Sequence, residues 1–112
     1  MNLNNKTFKA ITNSSNGEVT EQTIFHFKQT EDLISANYYG GGITLGNLIG
    51  TINESGRINM RYHHFNNKGE LMTGKSDSRL ESIRGGTLLI HDNWQWTSGD
   101  CSKGTSTLEE IR

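Results

Sequence analysis

The sequence predicts an all-β protein: a single antiparallel up-and-down β-barrel of about eight strands, with a two-sheet sandwich as the alternative. Three observations predict it. Proline is absent and glycine is abundant, at 13 of 112 residues; ladder strands exclude proline and tight turns recruit glycine. Turn signals recur roughly every ten residues, the spacing of barrels and sandwiches. Between them lie runs rich in Ile, Leu, Thr, Phe, Tyr and Trp, which suit pleated surfaces.

Taken in order, the first apolar segment, around "FKAITN", ends at "NSSNGE". "TIFHF" follows and breaks at "KQTED". "LISANYY" runs to the triple glycine Gly40–Gly42. "ITLGNLIGTI" ends at "NESGR", "INMRYHHF" at "NNKGE", and "LMTGKSDSRL" at "SIRGG". "TLLIHDNWQWT" closes on "SGDCSKG", and "TSTLEEI" supplies the eighth run. Gly46 and Gly50 inside the fourth run predict a bend, a bulge or a close backbone approach. Only "KQTEDLIS" and "SDSRLESIR" have room for a helical turn or two.

Alternation assigns faces. Ile58, Met60, Tyr62 and His64 share one face of their run, opposite Arg57, Asn59, Arg61 and His63. Leu88, Ile90, Asp92, Trp94 and Trp96 share another, opposite Leu89, His91, Asn93 and Gln95. The more apolar face of each is expected to point inward. An eight-strand meander removes its exposed edges by closing, as in lipocalin- or streptavidin-like barrels, whose interior holds side chains or one small ligand. Residues 1–112 then form one domain.

The formal net charge of −1 and the lack of clustered Lys/Arg exclude a basic nucleic-acid surface. No run of about 18 apolar residues is present to span a membrane, and "MNLNNKTFKAITN" lacks the marks of a signal peptide. Cys101 is the only cysteine, so no internal disulfide forms and a surface thiol is expected. A cytoplasmic protein, monomeric or homodimeric, is the expectation.

"GELMTGKS", Gly69–Ser76, fits the phosphate-loop pattern G-x-x-x-x-G-K-[ST]. That loop needs a buried parallel strand before it and a helix after it, and neither is legible. His63 and His64 are adjacent, so a regular strand points them to opposite faces; no metal site and no cofactor is predicted. The richest stretch is "HDNWQWTSGDCSKGTSTLEEI". Trp94, Trp96, Tyr38 and Tyr62 can wall a pocket, with Asp92, His64, Ser76 and Ser106 as its convergent polar groups. Arg61, His63 and His91 supply polar contacts if the face assignment is reversed. An inward Asp92 must find a partner, His64 or an arginine such as Arg61, or take up a proton.

Two blocks, "INMRYHHFNNKGELMTGKS" and "HDNWQWTSGDCSKGTSTLEEI", resemble a family of small bacterial proteins often labelled N-acetylglutamate synthase, and the likeness runs from "FKAITN" to "LEEI". The resemblance implies a compact calycin-like barrel and, by its label, an acetyltransferase. The [QR]-x-x-G-x-[GA] loop that usually holds acetyl-CoA is absent from the residues.

Three functions follow. The first is a barrel binding a small ligand, carboxylated or aromatic, near Trp94, Trp96 and Tyr62. The second is an interaction module with a filled interior. The third is a small acyl-transfer or hydrolytic enzyme using His64 and Asp92 as base and orienter.

Overall fold

The computed structural model describes residues 2–112. Eight strands follow one another: β1 Thr7–Asn13, β2 Ile24–Thr30, β3 Leu33–Gly40, β4 Ile43–Ile52, β5 Arg57–Asn66, β6 Leu71–Ser82, β7 Leu88–Trp96 and β8 Lys103–Ile111. Each pairs antiparallel with the next, and β8 returns to β1, so the sheet closes. The barrel is about 37 Å long and 21–22 Å wide. The closed meander is the predicted architecture; the sandwich alternative falls because no strand edge is left open.

The strands form where the chain alternates. In β5, Ile58, Met60 and His64 are buried while Arg57, Asn59, Arg61 and His63 are exposed. In β7, Ile90, Trp94 and Trp96 are buried on the face that also carries Asp92. The inward assignment therefore holds for both. "SDSRLESIR" continues β6 as strand to Ser82, and the only helical turn among the described residues is Arg84–Gly86 in the β6–β7 connection. "KQTEDLIS" is the end of β2, a two-residue turn and the start of β3. Tertiary pairing on both sides of β6 overrides its weak helical pattern.

Two bulges reset the alternation. One at Ile11 lets Thr12 pair with Thr107 after Ala10 has paired with Leu108. Phe8 and Ala10 face inward before it, and Asn13 rather than Thr12 faces inward after it. The other lies between Ile43 and Leu45 and leaves Thr44 and Leu45 both outside.

One half of the barrel is filled. Leu3, Phe8, Phe27, Ile34, Ile52, Ile58, Leu80, Ile90 and Leu108 are all at most 4% exposed. The phosphate-loop match is a hairpin: Gly69 sits in a turn at φ +77°, and Leu71–Ser76 run along β6. Lys75 points out and Ser76 in, so the lysine meant for the phosphates and the serine meant for their magnesium ion lie on opposite faces.

Candidate ligand-binding site inside the barrel

The other half of the interior is aromatic and polar. Three of its rings lie on glycines of the adjacent strand. Tyr38 pairs in register with Gly46, Tyr62 with Gly74 and Trp94 with Gly104. A Cβ placed on these glycines would meet the partner ring at 2.5, 2.1 and 2.2 Å, far inside the 3.5–4.0 Å of ordinary carbon contact. Each ring is thus seated flat against bare backbone, the arrangement in which an aromatic covers a strand glycine. Gly46 is the close approach expected of it, and Gly50, packed against Asn59 and Met60, is another.

Below the rings lies a carboxylate. Asp92 pairs with Ser78 across β6 and with Ser106 across β8. Its Oδ1 accepts from Ser76 and from Ser78 (2.7 Å), and its Oδ2 accepts from Ser106 at 3.3 Å. Ser76 and Ser78 also touch each other at 2.7 Å. Burial pushes the Asp92 carboxyl above its ordinary value, and the three hydroxyls pull it part of the way back. Its partners are serines, neither His64 nor Arg61. Asp92 nonetheless keeps an accessible edge, because it borders a cavity.

Above the rings lies the one long connection of the barrel, residues 14–23 between β1 and β2. Both indoles hold this end of β1 and its loop in place. Trp94 Nε1 donates to Asn13 Oδ1 and Trp96 Nε1 to the Asn16 carbonyl, each at 3.1 Å. Asn16 in turn donates to Ser102 and to the Lys103 carbonyl. Glu18 reaches across to β5, where its Oε1 meets His64 Nε2 at 2.8 Å and its Oε2 accepts from Asn66 at 2.9 Å. The loop therefore caps the mouth.

This geometry fixes the proton on His64. A carboxylate only accepts, so Nε2–H donates to Glu18 and Nδ1 accepts from the Tyr38 hydroxyl, 2.9 Å away. Tyr38 keeps its proton because burial drives its pKa up, and burial does the same for Tyr62. Burial also lowers the pKa of His64, against the opposing pull of Glu18.

Between floor and cap is a cavity of about 40 Å³, bordered by Met60, Tyr62, Asp92, Trp94, Trp96 and Ser106 among others. That is room for about three waters, well short of the roughly 300 Å³ of an open drug-sized site. Trp94 and Trp96 stand 5.5 Å apart at 59°, and Tyr62 meets Trp96 at 6.0 Å and 69°.

Of the residues proposed from sequence, Trp94, Trp96, Tyr62, Tyr38, His64, Asp92 and Ser106 line this cavity, and Ser76 binds Asp92 beneath it. Arg61 and His91 do not join them. Arg61 is exposed on the outer wall beside Asn59, and His91 faces outward to Glu81 at 2.8 Å. Their polar role required reversed faces, and the faces are not reversed. His64 and Asp92 take separate partners and form no hydrogen-bonded pair. Among the described residues no group of three His, Cys, Asp or Glu side chains is gathered as for a metal ion.

Sequence reasoning missed Ser78, Asn13, Asn16 and Glu18. Ser78 was legible, since it alternates with Ser76. The other three depend on a bulge and on a loop that folds back over the mouth, for which the sequence holds no periodic signal.

Residues 1–111 match the family model described as Avidin-like protein. No curated protein and no solved structure matches the chain, and nothing in these comparisons supports the N-acetylglutamate synthase label. With a closed eight-strand meander and a family model covering almost its whole length, the chain belongs to the avidin-like protein family.

Proposed function

We propose that this protein binds a small molecule in the half of its barrel that holds Trp94, Trp96, Tyr62 and Asp92. The observation that carries the reading is the division of the interior. One half is packed with aliphatic and phenyl side chains. The other places a carboxylate edge and three rings around a cavity under a single long loop. A purely structural interior has no need of an ionisable group there, because burying one costs stability. A recognition site does need it, since a few convergent polar groups in an apolar recess set ligand orientation. Family membership supports the same reading.

The small cavity is the closed form, and ligand entry requires residues 14–23 to lift. His64 and Asp92 take separate partners and are not arranged as base and orienter. The acetyltransferase label implied by the resemblance finds no pyrophosphate loop on these strands.

Both tryptophans of the chain border the cavity, so tryptophan emission reports on this site. Titration with biotin, the first compound to try in an avidin-like family, and with a panel of small metabolites is expected to give a saturable emission change for at least one. A panel that leaves the emission unmoved argues for a second reading, which the cavity's small size favours: a filled barrel acting through its wall. Leu45, Phe65 and Leu71 lie side by side on that wall and are exposed.

A further inference from the structure

We infer that the cavity selects a small organic cation, of the size of a methylated ammonium group. The inference rests on the binding reading above and names its ligand class. The lining carries two carboxylates, Asp92 at the bottom and Glu18 at the mouth, and no lysine or arginine. Every lysine and arginine in the barrel strands is on the outer wall or its rim. His64, the one basic group in the lining, commits Nε2 to Glu18 and Nδ1 to Tyr38. Glu18 is thereby matched within the protein, whereas Asp92 has no cationic partner.

The carboxylate also has spare capacity. Two oxygens offer about four acceptor positions, and three serine hydroxyls use three of them, the Ser106 bond being long at 3.3 Å. The remaining position belongs to the group with an accessible edge at the cavity. Directly above, Tyr62, Trp94 and Trp96 meet at steep angles, so that rings border the space on more than one side. Rings so placed, with a carboxylate beneath, attract ammonium groups through the negative ring face. An anionic ligand meets the opposite field, which removes the carboxylated ligand from the sequence expectation. In its capped form the cavity has room for about three waters, which favours a compact cation over a large one.

The test is a fluorescence titration of the intact chain with trimethylammonium chloride at constant ionic strength, beside tert-butanol, a neutral molecule of similar shape, and biotin, whose head group is neutral. Trimethylammonium is expected to saturate the emission change roughly tenfold or more tighter than tert-butanol. Asp92→Asn is expected to abolish that preference, bringing the two affinities together. Tyr62→Leu, which keeps the carboxylate and removes a ring, is expected to weaken the cation alone; it serves if Asp92→Asn does not fold by circular dichroism. Equal affinity for cation and alcohol, or a preference that survives both substitutions, overturns the inference. Saturation by biotin, whose side chain carries a carboxylate, or by a neutral compound, without saturation by trimethylammonium also overturns it, yet leaves the binding reading standing. Silence from every compound sinks both.

Discussion

Gly104→Ala offers the sharpest test of how the aromatic half is built. Gly104 has an ordinary strand backbone, with no positive φ to forbid a side chain, so the substitution is limited by space alone. A Cβ there falls 2.2 Å from Cζ2 of Trp94, and the ring must retreat by about 1.3–1.8 Å to reach the 3.5–4.0 Å of normal contact. Any retreat must be inward, toward the small cavity that the ring borders, and two contacts oppose it. Its Nε1–H is tied to Asn13 at 3.1 Å and its other flank meets Trp96 at 5.5 Å. Overpacking of this kind costs about 1–3 kcal/mol. Trp94→Ala by itself costs about 3–5 kcal/mol, as for a core tryptophan. In that background the obstacle is gone, and Gly104→Ala becomes stabilising by about 0.5–1 kcal/mol, because alanine orders more cheaply than glycine in a strand. The sign reversal appears in a double-mutant cycle read by urea unfolding and far-ultraviolet circular dichroism. Equal destabilisation by Gly104→Ala in both backgrounds refutes the seating of the ring on the glycine.

Two further predictions concern protons. Asp92 in the folded chain has a pKa above its ordinary value of 3.8, so between the unfolded and the folded value, and only there, the fold holds a proton that the unfolded chain has released. The stability contribution of this shift is complete below the unfolded value and fades as pH rises through the folded one. The groups around Asp92 are the hydroxyls of Ser76, Ser78 and Ser106 and the more distant phenols of Tyr38 and Tyr62. None is a cation able to reverse the sign. Asp92→Asn cannot ionise, so its stability relative to wild type should improve as pH rises from about 4 toward neutrality; a constant urea-midpoint difference contradicts this. Glu18→Gln removes the carboxylate that raises the His64 pKa, so His64 should titrate lower still in imidazole NMR, and a rise would refute the Glu18 contact. His64 has a lowered pKa with Glu18 present, so its contribution to stability holds above the ordinary value of 6.5 and is lost as pH falls through the folded one.

The barrel was legible because strand alternation and turn composition both depend on local sequence. Ile58, Met60, Tyr62 and His64 read as one face, and they are one face. Asp92 read as an inward carboxylate for the same reason. Its partners were misread because pairing depends on register. Ser78 and Ser106 stand opposite Asp92 only once β6, β7 and β8 align, and no periodicity within a single strand encodes that alignment. The cap was less legible still. "NSSNGE" signals a turn, but the reach of Glu18 to His64 spans 46 residues, and the bulge at Ile11 that turns Asn13 inward leaves no mark in composition. As ligand contacts Arg61 and His91 require the reversed assignment, and Arg61 as a partner of Asp92 requires a side chain turned inward; the alternation that turns Tyr62 and Trp94 inward places both outside.

Two indoles border a capped cavity, and the proposed ligand site lies beside them. The most direct measurement follows the two indole N–H signals of the nitrogen-15-labelled protein, free and during titration with whichever compound moves the fluorescence. Both signals are predicted to be protected from exchange with water in the free protein and to shift together along one saturable curve. Indole protons that exchange freely, or that stay fixed while the compound binds elsewhere, would contradict this placement.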